Sequence, residues 1–124
     1  MIRTVVVDDE KHSLNRLKRF IAEAAELKLI ADYKDPEVCF TELKAKEVRP
    51  ELIFLDIELM AYCGGLELAK RIKKINLYTH IVFISAKKNH AVEAFDLNAL
   101  DYLLKPVSRE RFEETIARLG GDKV

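Results

Sequence analysis

Leu52-Ile53-Phe54-Leu55-Asp56 is the stretch that decides the fold. Four large apolar residues in an unbroken run read as a strand buried on both faces, the signature of the interior of a parallel sheet. The run ends in a carboxylate, which places Asp56 at the lip of that sheet, within reach of solvent and substrates. Three further apolar runs end in the same manner. Val5-Val6-Val7 leads into Asp8-Asp9, Ile81-Val82-Phe83-Ile84 into Ser85, and Tyr102-Leu103-Leu104 into Lys105. An acid pair, a single acid, a hydroxyl and an amine therefore each follow a strand.

Helical patterns separate these strands. The strand over Thr4 to Asp8 is rich in β-branched residues. Ser13 is positioned to cap a helix whose Leu14, Leu17, Ile21 and Ala24 share one face. Leu27 to Tyr33 reads as a second strand. Asp35-Pro36 opens a helix with proline where its missing N–H costs nothing; Phe40 and Leu43 supply its inner face, and Arg49-Pro50 ends it. After Leu52 to Asp56, the Gly64-Gly65 loop leads to a helix with Leu66, Ala69 and Ile72 inward. Ile81 to Ser85 is the fourth strand, Ala91 to Leu97 a short helix, and Asp101 to Leu104 the fifth strand. Ser108 caps a last helix with Phe112, Ile116 and Leu119 at i, i+4 and i+7, and Gly120-Gly121 stops it. Alternation of five strands with five helices predicts an α/β domain, a doubly wound five-stranded parallel sheet with right-handed crossovers. Its functional crevice lies at the carboxyl ends of the strands, where strand order reverses. Asp8, Asp9, Asp56, Ser85 and Lys105 all fall at such ends.

The 124 residues suit one domain, with 49% hydrophobic and 34% charged residues. We take residues 1–119 as the domain and 120–124 as a tail or the start of a linker. Lys+Arg and Asp+Glu number 21 each, which argues against this domain itself gripping nucleic acid. Cys39 and Cys63 are too few for a disulfide framework and lack metal-ligand spacing, so both read as reduced thiols of a cytoplasmic protein. No signal peptide precedes the first strand, and no apolar run approaches the roughly 18 residues of a membrane helix. His12, His80 and His90 have no partner at ligand spacing and read as surface or loop residues.

Taken singly, Asp8-Asp9 could be a helix-capping turn, Ser85 a strand-end hydroxyl and Lys105-Pro106 a turn with a solvated amine. Taken together they converge on one rim. Three carboxylates there repel one another unless something positive intervenes. Lys105 supplies one charge and a divalent cation the rest. Mg²⁺ suits an all-oxygen site with few protein ligands, whereas Zn²⁺ would want His or Cys. A carboxylate can attack phosphorus to give an aspartyl phosphate, with the hydroxyl and ammonium on the transferred group's oxygens.

At this point the sequence resembles the receiver domains of bacterial two-component response regulators, the CheY-like family. Val5-Val6-Val7-Asp8-Asp9-Glu10 is similar to the opening acid motif, Leu55-Asp56-Ile57 to the phosphoacceptor strand, Ser85-Ala86 to the hydroxyl-then-small motif, and Lys105-Pro106 to the lysine with its usually cis proline. The resemblance spans the whole chain and implies strand order 2-1-3-4-5. Ala91-Val92-Glu93-Ala94-Phe95 and Leu100-Asp101-Tyr102-Leu103-Leu104-Lys105-Pro106 further resemble receivers joined to LytTR-type DNA-binding domains.

The resemblance implies a set of roles. Asp56 accepts a phosphoryl group from a sensor histidine kinase. Asp9, Asp56 and the backbone carbonyl of Glu58 hold Mg²⁺, with Asp8 acting directly or through water. Ser85 and Lys105 bind phosphoryl oxygens. Ser85 and Tyr102 form the switch, and the fourth helix, fifth strand and fifth helix form the responding face, which in the family often dimerises or meets an output domain. Positions 58 and 87 tune acyl-phosphate hydrolysis. The protein is expected to gain and lose its phosphoryl group rather than act as a turnover enzyme. One stretch departs from the family pattern: Leu59-Met60 stands where a methionine-proline pair is usual, and Ala61-Tyr62-Cys63-Gly64-Gly65 is one residue longer than usual. Losing proline frees the backbone that carries the Glu58 carbonyl. Two other classes compete. A phosphatase using Asp56 as nucleophile would need an Asp-x-Asp motif, where this chain has Glu58. A binding module without phosphate chemistry would bind partners independently of Asp56.

Overall fold

A computed structural model of the chain describes residues 1–60, 64–75 and 78–121. Ten elements alternate: β1 (Ile2–Val7), α1 (Lys11–Glu23), β2 (Leu27–Tyr33), α2 (Pro36–Lys44), β3 (Leu52–Asp56), α3 (Gly65–Ile75), β4 (His80–Ser85), α4 (Ala91–Asp96), β5 (Asp101–Leu104) and α5 (Arg109–Gly121). The strands form one parallel sheet in the order β2-β1-β3-β4-β5, the order the resemblance implied. The reversal lies between β1 and β3, so the exits of these strands, carrying Asp8-Asp9 and Asp56, flank the crevice.

Period-two alternation divides the strands between two cores. On one side Val5, Val7, Ile53, Leu55, Ile81 and Phe83 pack with Cys39 of α2, Leu68, Ala69 and Ile72 of α3, and Ala94 of α4. On the other, Val6, Leu52, Phe54, Val82, Ile84 and Leu103 pack with Leu14, Leu17, Phe20 and Ile21 of α1 and Phe112, Ile116 and Leu119 of α5. The β3 residues Leu52 to Leu55 are wholly buried, as an apolar run without alternation requires. Burial pushes the Cys39 thiol up to about 12, so it stays protonated as a packing group. Cys63 lies outside the described residues.

Several local expectations are corrected. The cap of α1 is Glu10, whose side chain accepts from the Ser13 N–H at 3.0 Å; Ser13 sits inside the first turn. Helix α2 ends at Lys44 rather than at Arg49-Pro50, turning through Lys46 at φ 62°. Asp35 does cap it, accepting from Glu37 N–H at 2.9 Å. On α3 Leu68, not named among the inward residues, is fully buried beside Ala69 and Ile72, and half-buried Leu66 packs against the same core. Helix α5 includes the Gly120-Gly121 pair and ends at Gly121. Strand β1 begins at Ile2 and stops before Asp8, and His80 opens β4 instead of lying in a loop.

Helix α5 is tied to β5 by one buried acid. Asp101 accepts from Arg111 at 2.6 and 2.8 Å and from the Thr115 hydroxyl at 2.8 Å, with Arg118 Nη1 at 3.0 Å. Burial alone would raise its pKa, but the Arg111 and Thr115 bonds outweigh that and hold it below the usual carboxylate range. Its stabilising contribution is therefore complete at neutral pH and disappears as pH falls below about 4, through the depressed pKa. Asp101→Ala is expected to lower unfolding free energy by about 1–3 kcal/mol at pH 7, read from urea midpoints, with the difference from wild type shrinking as pH falls below about 4.

Candidate phosphoacceptor and metal site

Each element delivers its polar residue to the same rim because each strand ends there. Val7 pairs with Leu55, so the residues that follow β1 stand beside Asp56. Asp56 itself pairs with Ile84, which puts Ser85 one step further along the neighbouring strand. The Lys105 N–H donates to the Ser85 carbonyl at 2.8 Å, anchoring the lysine next to that hydroxyl. The Lys105-Pro106 bond is cis.

Lys105 Nζ lies 3.2 Å from Asp56 Oδ2 and 3.4 Å from Asp8 Oδ2. Carboxylate oxygens of Asp8, Asp9 and Asp56 all fall within 4.8 Å of one another. Asp8 and Asp56 are buried; Asp9 is half-buried. Burial and then the Asp8 carboxylate push Asp56 up to about 7, with Lys105 opposing. Burial would depress the Lys105 ammonium, but Asp8 and Asp56 more than offset it and hold its pKa above the ordinary lysine value.

The donor set fits a hard divalent cation. All its candidate ligands are oxygens, and one ammonium leaves the three acids only partly neutralised. Asp8 Oδ2 is buried and accepts no hydrogen bond among the described residues, although Lys105 is within ion-pair reach. A buried carboxylate oxygen with no hydrogen bond is a group that a cation would satisfy.

The expected loop departure has a structural counterpart. Met60 N–H donates to Asp9 Oδ2 at 2.6 Å. A proline at position 60 has no such donor. The substitution that frees the backbone thus also supplies a bond that ties the β3–α3 connection to an acid of the site. Ala61, Tyr62 and Cys63 lie outside the described residues.

Tyr102 is half-buried and its hydroxyl donates to the Lys87 carbonyl. The Lys87 N–H in turn donates to Ser85 Oγ at 2.9 Å. Ser85 and Tyr102 are therefore linked through one residue. Glu58 was expected to matter through its backbone carbonyl. Its side chain also enters the site: Oε2 accepts from the Ser85 hydroxyl at 2.5 Å and Oε1 from the Ala86 N–H at 2.7 Å. The sequence places an acid two residues beyond the strand-end aspartate but not the path of its side chain to β4.

The family description "response regulator receiver domain" matches residues 4–117. The chain belongs to the response regulator receiver domain family. It is 36% identical over 118 residues to the sensory transduction protein LytR of Staphylococcus haemolyticus, covering 95% of this chain and 45% of that protein. It is equally 36% identical over 118 residues to the sensory transduction protein LytT of Bacillus cereus, covering 95% and 47%. These relatives agree with the LytTR-type resemblance. The receiver spans about half the length of the curated relatives it matches. Among solved structures, the response regulatory domain of protein mrkE from Klebsiella pneumoniae matches with a TM-score of 0.88 at 30% identity, covering 98% of this chain and 97% of that one. This chain is thus a receiver domain of a response regulator in two-component signalling. No helix among the described residues is long and apolar enough to cross a membrane.

Proposed function

We propose that Asp56 is the phosphoacceptor and that a sensor histidine kinase is the donor. The observation that carries this reading is the meeting of Lys105 with Asp56 and Asp8 at 3.2 and 3.4 Å beside the three-acid cluster. An Asp56 carboxylate oxygen attacks phosphorus, the bond from phosphorus to the kinase histidine nitrogen breaks, and the electron pair leaves on the imidazole. Water later hydrolyses the acyl phosphate, so the receiver gains and loses a phosphoryl group and is no turnover enzyme. Asp8, Asp9, Asp56 and the Glu58 carbonyl would hold Mg²⁺, which when bound neutralises the acids and withdraws charge from the phosphoryl oxygens.

Lys105 is already placed to meet a phosphoryl oxygen, and Ser85 stands on the neighbouring strand to meet another. Two charge-assisted hydrogen bonds contribute about 3–6 kcal/mol. Moving a population from 1:99 to 99:1 takes about 5.5 kcal/mol, so two such bonds suffice with little excess. Tyr102 follows Ser85 through Lys87 and passes the change to α4, β5 and α5. Val92 and Phe95 of α4 are 73% and 80% exposed, and Leu104 of β5 is also exposed; this gives that face an apolar surface for a second copy or an output domain. The output we propose is transcription control by a LytTR-type DNA-binding domain outside this chain, in the cytoplasm.

The test is intact mass after mixing with Mg²⁺ and a small phosphodonor. Wild type is expected to gain one phosphoryl group and Asp56→Ala none; labelling of Asp56→Ala, or none of wild type, counts against the reading.

A further inference from the structure

We propose that the Glu58 carboxylate is a built-in occupant of the phosphoryl-oxygen site, which an arriving phosphoryl group must displace. This rests on the phosphoacceptor reading of Asp56. The two oxygens of one carboxylate accept from two adjacent donors at the exit of β4, the Ser85 hydroxyl at 2.5 Å and the Ala86 N–H at 2.7 Å. That is how two oxygens of a phosphoryl group on Asp56 would use the same pair. A hydroxyl has one proton to give. Ser85 Oγ gives that proton to Glu58 Oε2 and accepts from the Lys87 N–H, so the proton is not free for a second anion.

Glu58 is held in position from its own backbone. Its N–H donates to Asp56 Oδ1 at 3.0 Å, which ties the start of the connection to the phosphoacceptor and lets the side chain cross to β4. The bridge also completes a link that contains no phosphate: Glu58 to Ser85, Ser85 to Lys87, Lys87 to Tyr102. Before phosphorylation the internal carboxylate stands in for the phosphoryl oxygens. On phosphorylation a group of charge about −1.5 to −2 meets the Glu58 charge at close quarters. The weaker anion gives up both donors and swings out. Because Glu58 is half-buried, its carboxylate has solvent to enter. The backbone carbonyl assigned to the metal remains when the side chain is replaced.

Removing the occupant should therefore ease loading. With Mg²⁺ present, the beryllium trifluoride anion serves as a phosphoryl stand-in, and its apparent affinity can be followed by amide resonances of Ala86, Lys87 and Tyr102. Glu58→Ala is expected to bind it roughly tenfold or more tightly than wild type, the factor set by losing one or two charge-assisted competitors. Glu58→Gln, which keeps the size and one acceptor but not the charge, should fall between. Before any probe is added, the Lys87 and Tyr102 amides of Glu58→Ala should already be displaced from their wild-type positions. Equal or weaker binding by both variants overturns the proposal while leaving the phosphoacceptor reading intact. Failure of wild type and both variants to bind the probe overturns the phosphoacceptor reading, and the proposal with it.

Discussion

Asp56→Asn is expected to raise the melting temperature of the metal-free receiver at pH 8 while removing its capacity to be phosphorylated. Burial and the Asp8 carboxylate hold the Asp56 pKa at about 7, far above the unfolded value of about 3.9. The folded state thus prefers the protonated acid. Stability from this group is fully present below pH 4 and declines as pH rises from about 4 to about 7, where the proton is lost. Above pH 7 the domain carries a buried carboxylate beside another that Lys105 only partly offsets. Asparagine removes the charge, still accepts the Glu58 N–H, and can donate toward Asp8. We expect a gain of about 2 kcal/mol, or roughly 6–10 °C for a domain of this size. Calorimetry in chelator across pH 4–9 would show the two proteins converging at the acid end and separating above pH 6. Saturating Mg²⁺ should narrow the gap at pH 8 by stabilising wild type more than the variant. A melting temperature for Asp56→Asn equal to or below wild type at pH 8 would mean that Lys105 already neutralises the pair.

The second large effect is structural. A Cβ on Gly65 would lie 2.0 Å from the Asp56 carbonyl oxygen and 2.8 Å from both Asp56 C and Ile57 Cα. These are backbone atoms of the strand exit that carries Asp56, so no side chain can yield. Helix α3 would have to withdraw, lifting Leu68, Ala69 and Ile72 from the core they fill. Gly65→Ala should cost about 3 kcal/mol or more, well beyond the ~1 kcal/mol that alanine returns in a helix. Gly64→Ala is the control, since among the described residues a Cβ there would meet the Ile57 carbonyl oxygen at an ordinary 3.7 Å. We expect its urea midpoint to remain close to wild type.

The adjacent glycines show where sequence reading ends. Gly64-Gly65 marks a turn, but nothing in the letters says which glycine has no room for a Cβ against the Asp56 backbone; that depends on how α3 docks. Strands fared better. Runs such as Leu52 to Asp56 and Asp101 to Leu104 carry their own limits, apolar inside and polar at the exit, and the observed bounds coincide with them. Helix ends did not, because caps are settled by competing local bonds. Ser13 is a stronger cap by type than Glu10, yet Glu10 reaches the Ser13 N–H and Ser13 joins the helix. Pro50 restricts only Arg49, and α2 had already turned away at Lys46.

The site was legible to the extent that it sits at strand ends. Asp8, Asp9, Asp56 and Lys105 meet because a parallel sheet sends every strand exit to one edge. The side-chain bridge from Glu58 to Ser85 and Ala86 was not legible, since it depends on how the chain leaves β3. The arginine clamp on Asp101 was missed for a different reason. Arg111, Thr115 and Arg118 repeat at i, i+4 and i+7, one residue before Phe112, Ile116 and Leu119, and attention to the apolar stripe hid the polar one beside it.

The bond from Met60 N–H to Asp9 Oδ2 makes the β3–α3 connection and the acid cluster one thermodynamic unit. An ion held by Asp9, as proposed, would draw on the same carboxylate as the amide of Met60. Reciprocity then applies: whatever factor the ion imposes on this tether, the tether imposes on the ion. A proline at position 60 could take no part in that exchange. Substitutions chosen to stiffen or loosen this connection would therefore register first as altered cation affinity.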